Sequence, residues 1–210
     1  MKYNKKHHPI SCLQTQSACY KSCTNPQEIL GIMWHSTEVI EPYLKRYVQP
    51  SDDAEDRDKF LKLLGKNTAG NDCNHTSIEK GMHAHIGKTA NGSVIAIQTL
   101  PWDYRAWGCG KGYKGSCNDG WIHIEICESA TTDEDYFEEV YREAIELTAY
   151  LVKTFNLNPI AMARHKNGIM CPVITCHKEA AKLGLASDHV DVLHLLIKRG
   201  KSMQTIRDDV

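Results

Sequence analysis

Three places in this chain put side chains able to bind a metal at the end of an apolar run. His35 closes Ile29-Leu30-Gly31-Ile32-Met33-Trp34-His35. His123 and Glu125 alternate with Ile122, Ile124 and Ile126, so both fall on one face of a strand. His177 follows the short apolar run Val173 to Cys176, and His189, Asp191 and His194 come soon after it. A catalytic zinc needs three nitrogen, oxygen or sulfur ligands and one open position, at which water loses a proton near neutral pH. A carboxylate outside the ligand set then carries that proton to the leaving amine. Glu125 fits this role if the apolar stretch around it is buried, because burial raises a carboxyl pKa. Each histidine alone also fits a packed or exposed side chain, and that reading is preferred for His75, His83, His85 and His165. No HExxH pair occurs, so two ligands from one helix are not expected.

The elements that must position these groups are legible from periodicity. Ile29 to His35 is expected to be a buried strand. Tyr43, Leu44 and Tyr47 have helical or turn spacing, and Asp58 to Leu64 suits one or two helical turns. Gly70, Asn71, Asp72, Asn74 and Gly81 mark Asn67 to Gly81 as a loop. His83 to Lys88 and Ser93 to Thr99 flank Asn91-Gly92, a strong hairpin signal. Trp102 to Asn118 is rich in Gly and aromatics without a period, which is loop chemistry of the kind that often carries binding residues. Asp133 to Phe155 has an apolar stripe at helical spacing, with Thr132 and Asp135 placed as a capping box. Helices are expected from His177 to Leu183, over Val190 to Lys198 and over Ser202 to Asp209. Strands interleaved with a long helix predict an α/β domain with a central mixed sheet flanked by helices. Residues 1–27 are expected to be an N-terminal arm packed on the domain, and residues 28–210 the catalytic domain.

Composition narrows the function classes. The 210 residues are 41% apolar and 24% charged, as in a globular chain with a single core. A net charge of -1 supplies no field to attract nucleic acid. No apolar run is long enough for a membrane span, so membrane insertion is not expected. Lys2, Lys5 and Lys6 are followed by no apolar stretch, so no Sec-type signal peptide is expected. Nine cysteines form neither an even framework nor paired CxxC motifs, and they read as reduced, mostly buried thiols.

The ordered motifs resemble those of type-2 N-acetylmuramoyl-L-alanine amidases, the class of phage endolysins that shares its fold with peptidoglycan recognition proteins. The likeness runs through Ile32-Met33-Trp34-His35-Ser36-Thr37, Gly92-Ser93-Val94, Gln98-Thr99-Leu100-Pro101-Trp102 and Arg105-Ala106-Trp107-Gly108. It continues through Ile122-His123-Ile124-Glu125-Ile126-Cys127-Glu128, Ile174-Thr175-Cys176-His177 and Ser187-Asp188-His189-Val190-Asp191-Val192.

The resemblance implies a Zn2+ site of His35, His177 and Asp191, with Glu125 as general base. His189 would hold the oxyanion, where many relatives have lysine; His189 as the third ligand, with Asp191 as its partner, stays open. Trp102, Tyr104, Trp107 and Asn118 are candidates for substrate binding. Trp102, Tyr104 and Trp107 fit loop packing equally well. The implied substrate is bacterial peptidoglycan, cut between N-acetylmuramic acid and L-alanine. A monomer is the default expectation. The enzyme is expected to stay cytoplasmic until a phage holin or lysis gives it access to the wall. Two other readings are a non-catalytic peptidoglycan-binding module of the same fold and a Cys/His wall peptidase using Cys127 or Cys176.

Overall fold

The computed structural model describes residues 8–23, 25–130 and 132–210. The elements run β1 (Ile10–Ser11), α1 (Ala18–Ser22), β2 (Gly31–Ile40), α2 (Arg57–Leu64), β3 (Ala84–Lys88), β4 (Val94–Gln98), β5 (Trp121–Glu128) and α3 (Glu134–Thr154). They continue with β6 (Met162–Arg164), β7 (Met170–Pro172), β8 (Ile174–Cys176), α4 (His177–Lys182), α5 (Leu193–Ile197) and α6 (Met203–Asp209). A single 3-10 turn covers Leu44–Arg46.

Six strands form one mixed sheet in the order β1-β4-β3-β5-β2-β8. β3 and β4 are the antiparallel hairpin turned by Asn91-Gly92. β5 lies parallel to both β3 and β2, and β8 lies parallel to β2. The fold is therefore a mixed α/β sheet flanked by helices. Every residue of β5 is buried, as befits a central strand covered on both faces.

One face of the sheet is the main core. Ile32 and Trp34 from β2 and Ile122, Ile124 and Ile126 from β5 meet Phe137, Val140, Tyr141, Ala144, Ile145 and Leu151 from α3. Trp34 Nε1–H donates to Thr148 Oγ1 at 3.0 Å, so the largest buried side chain on β2 also satisfies its one polar atom. Alternation then sends Met33 and His35, with His123 and Glu125, to the opposite face.

Two local expectations change, and one hairpin is added. The first long strand starts at Gly31 and runs on to Ile40, beyond His35. The cap of α3 is Asp133, whose side chain accepts from the Tyr136 amide; Thr132 lies one residue before it. The β6–β7 hairpin has three-residue strands, too short to leave a period in the sequence.

In the N-terminal segment, β1 pairs with β4 and Cys19 packs with Leu100 and Ala106. The basic stretch from Lys2 lies outside the described residues. All nine cysteines are free thiols, seven of them buried. No helix among the described residues is long and apolar enough to cross a membrane.

Candidate metal centre

The site forms on three parallel strands, from mid-strand positions of two and just past the C-terminal end of the third. β2 supplies His35, β5 supplies Glu125 as its register partner, and β8 leads directly into His177 at the start of α4. Asp191 arrives on the segment between α4 and α5. His35, His177 and Asp191 are all buried, and one donor atom from each lies within 4.8 Å of the others. His35 Nδ1 is 2.8 Å from Asp191 Oδ2, and His177 Nδ1 is 3.1 Å from Asp191 Oδ1.

The electrostatics follow from burial and from these pairs. Burial pushes the His35 imidazole below its ordinary range, against the pull of Asp191. Asp191 is itself buried, which would raise its pKa; hydrogen bonds and charge from His177 and His35 outweigh that and hold it well below the usual carboxylate range. Glu125 is pushed up to about 8, first by burial and then by the charge of Asp191. Its Oε2 is buried and has no hydrogen-bond partner. An unpaired buried carboxylate oxygen is costly. The Glu125 residue lines an open cavity of about 300 Å³ together with His35, His177, His189, Asp191 and Trp107.

These residues fit a zinc ion. Two imidazole nitrogens and a carboxylate converge, which is a donor set for a three-ligand catalytic site, and Glu125 lines the same cavity.

His189 takes a different place. Its side chain is about half exposed, its ring lies 4.7 Å from that of His177, and its Nδ1 stands 3.9 Å from Glu38 Oε2. It lines the cavity outside the convergent group.

The four aromatic and amide candidates separate as well. Trp107 lines the cavity. Trp102 does not; it packs on the core and stacks on His83 at 6.3 Å. Tyr104 leans on Tyr20 at 5.3 Å and does not line the cavity. Asn118 is buried, and its Oδ1 accepts from the amides of Gly108 and Cys109, so it shapes the loop. Trp102 and Tyr104 thus pack against His8 and Tyr20 of the N-terminal segment.

Cys127 and Cys176 line no part of the cavity. Burial pushes the Cys127 thiol far up and the Cys176 thiol to about 12. Neither is a ready thiolate.

Other cavity residues were not candidates from the sequence: Glu38 lines it from the end of β2, and Glu79, Lys80, Met82 and Ser187 from segments outside strands and helices. His83 and His165 are packed histidines whose Nε2 atoms lie 2.8 and 3.0 Å from the carbonyls of Tyr104 and Ser116.

A crevice on parallel strands, holding a His-His-Asp cluster beside a buried carboxyl group, defines a candidate hydrolase site. The family model for N-acetylmuramoyl-L-alanine amidase matches residues 25–191, and the chain belongs to that family. Among solved structures, the chain is similar to the Staphylococcus aureus hydrolase AmiA in complex with its ligand. The TM-score is 0.58 and the identity 17%, over 90% of this chain and 77% of that one. A point mutant of PlyL gives 0.57 and 17%, over 97% and 98%. The catalytic domain of PlyG gives 0.56 and 16%, over 97% and 93%. At these identities the likeness is one of fold. No curated protein matches the sequence.

Proposed function

We propose that the chain is a zinc-dependent amidase that hydrolyses the bond between N-acetylmuramic acid and L-alanine in bacterial peptidoglycan, as the catalytic part of a phage or prophage endolysin. Family membership supports amide hydrolysis of peptidoglycan. The observation that carries the zinc reading is the buried, unpartnered Glu125 oxygen beside converging His35, His177 and Asp191.

His35, His177 and Asp191 would hold the ion. Bound zinc supplies Lewis acidity toward water and toward an amide carbonyl. Glu125, with a pKa of about 8 before any cation is bound, is suited to accept a proton from water and return it to the alanine nitrogen. A cation in the adjacent cluster stabilises its charged form. His189, half exposed on the cavity wall, would donate a hydrogen bond to the substrate carbonyl oxygen. Trp107 offers an apolar wall to a sugar or a stem peptide.

The test is release of free amino termini from purified cell wall, with chelator, with zinc added back, and after thiol alkylation. Activity lost with chelator and restored by zinc supports the reading. Activity that survives metal removal overturns it, and loss on alkylation alone points to a thiol enzyme. Wall binding without turnover points to a recognition module.

A further inference from the structure

Cys117 and Cys171 are 54 positions apart in the chain, yet their Sγ atoms lie 3.8 Å apart. Cys117 stands near the end of the Gly-rich loop 102–118, and Cys171 is the middle residue of β7. Both are fully buried in a small cluster with Met33, Trp121 and Leu185. Neither lines the cavity, so amide hydrolysis has no use for them. Cys109 shares the cluster, but its thiol turns to Asn118 Oδ1 at 3.2 Å.

The backbone holds the two sulfurs together. The Cys117 amide donates to the Leu185 carbonyl at 2.7 Å, and Cys171 is the ladder partner of Ala163. Two further contacts strap the β6–β7 hairpin to its neighbours on either side of the pair. His165 Nε2 lies 3.0 Å from the carbonyl of Ser116, the residue before Cys117. Trp121 Nε1–H donates at 3.2 Å to the carbonyl of Pro172, the residue after Cys171. A disulfide needs sulfurs about 2.0 Å apart. The remaining approach is within the reach of rotation about the two Cα–Cβ bonds.

We propose that Cys117 and Cys171 are an oxidisable pair, which stays as two thiols in reducing surroundings and closes to a disulfide in oxidising ones, with a low-molecular-weight disulfide as the oxidant. One protein thiolate attacks the small disulfide, and one small thiol leaves. The second protein thiolate attacks the protein-side sulfur of that mixed disulfide, and the other small thiol leaves. The protein gives up two electrons and two protons, and the small disulfide takes them as two thiols. The hydrogen bond to Cys171 and burial push the Cys117 thiol far above its ordinary range, so the exchange runs through transient local opening. The closed bond places β5 and α3 inside one covalent loop. It also staples the segment that supplies Gly108 and Gly110 to the cavity onto the hairpin before β8 and His177. A loop of this length restricts the unfolded chain and so favours the fold. Neither the bond nor its effect depends on the zinc reading.

The test takes the full chain in buffers of reduced and of oxidised glutathione. Thiols are counted after denaturation, and crosslinked peptides are mapped by mass. In the oxidised buffer the count is expected to fall from nine to seven, with one crosslink, between Cys117 and Cys171. Tm should rise by roughly 5–15 °C and return when reductant is added. Oxidation is repeated in mild denaturant, so that slow access is not mistaken for an unreactive pair. Nine thiols under every condition overturn the proposal, as do bound glutathione in place of the crosslink and a crosslink between other cysteines. A Cys117–Cys171 bond that leaves Tm unchanged or lowers it also overturns it, because the bond would then be foreign to the fold. Cys171→Ala is expected to melt at the same temperature in both buffers. A rise in its Tm on oxidation assigns the effect to another pair; if the variant does not fold, the wild-type crosslink map and Tm decide.

Discussion

His35 on β2 and Glu125 on β5 are register partners across a parallel strand pair. A candidate ligand and a candidate proton carrier are thereby held one strand spacing apart, about 4.8 Å. Neither rides on a loop, so their separation is set by backbone ladders rather than by side-chain reach. The strand ladder also explains why Glu125 is buried: every position of β5 is covered, and only the cavity side is open.

Glu125→Gln removes the proton-accepting oxygen and keeps the shape. Turnover on cell wall is expected to fall by roughly 10²-fold or more, while zinc content and wall binding stay at wild-type levels. Assaying the purified variant for released amino termini and for bound zinc checks this. A fall in zinc content instead would place Glu125 among the ligands.

The same variant has a stability signature in the metal-free protein. Glu125 has a folded pKa of about 8, raised from an ordinary value of 4.5. Its neutral form is favoured in the fold, so its contribution to stability is complete below about pH 4.5 and is lost as pH rises through 8. Glu125→Gln cannot ionise and escapes that loss. The stability difference between the variant and wild type is expected to grow in the variant's favour from pH 4.5 to 8. It should reach the order of a few kcal/mol. Denaturant melts of both proteins without metal at pH 5, 7 and 9 measure it, and a difference that is flat with pH refutes it.

The sequence exposed the strands that carry His35, Glu125 and His177 because each is an apolar run with a polar group at its end or at alternate positions. The hairpin at Asn91-Gly92 and the amphipathic α3 were equally plain. The cavity rim was not. Glu79, Lys80 and Ser187 lie on segments without a period, and their approach depends on how the sheet brings loops together. Trp102, Tyr104 and Asn118 lie off the cavity wall, and the sequence could not show this for a related reason. Aromatic and amide residues in a Gly-rich loop look alike whether they face a ligand or the loop's own packing, and only the register of the loop on His83 and Tyr20 separates them.

Asp191 and His189 are the next pair to separate. Asp191 converges with both histidines and is held as the carboxylate, whereas His189 is half exposed at the rim. Asp191→Ala is expected to lose stoichiometric zinc. His189→Ala should keep the metal and lose turnover, by about 10²–10³-fold if it holds the oxyanion. Metal analysis after dialysis distinguishes them; zinc retained in Asp191→Ala and lost in His189→Ala reverses the assignment.

Gly108 tests how tightly the loop is fitted to the site. A Cβ at this position would come within 2.4 Å of His123 Nδ1 and 2.8 Å of Met82 Sδ. The Gly108 amide is tied to Asn118 Oδ1 at 3.0 Å, so the backbone cannot retreat without losing that bond. Gly108→Ala must therefore displace the His123 ring or the loop. Overpacking of this kind costs typically 1–3 kcal/mol, which for a chain of this size lowers Tm by roughly 2–4 °C per kcal/mol. Zinc affinity is expected to fall with it, because the displaced ring is the one that contacts His35. Thermal unfolding and chelator competition on the same preparation check both effects. A variant with wild-type Tm and wild-type zinc affinity would show that the loop has slack and that the close approach of Gly108 to His123 is not a constraint on the site.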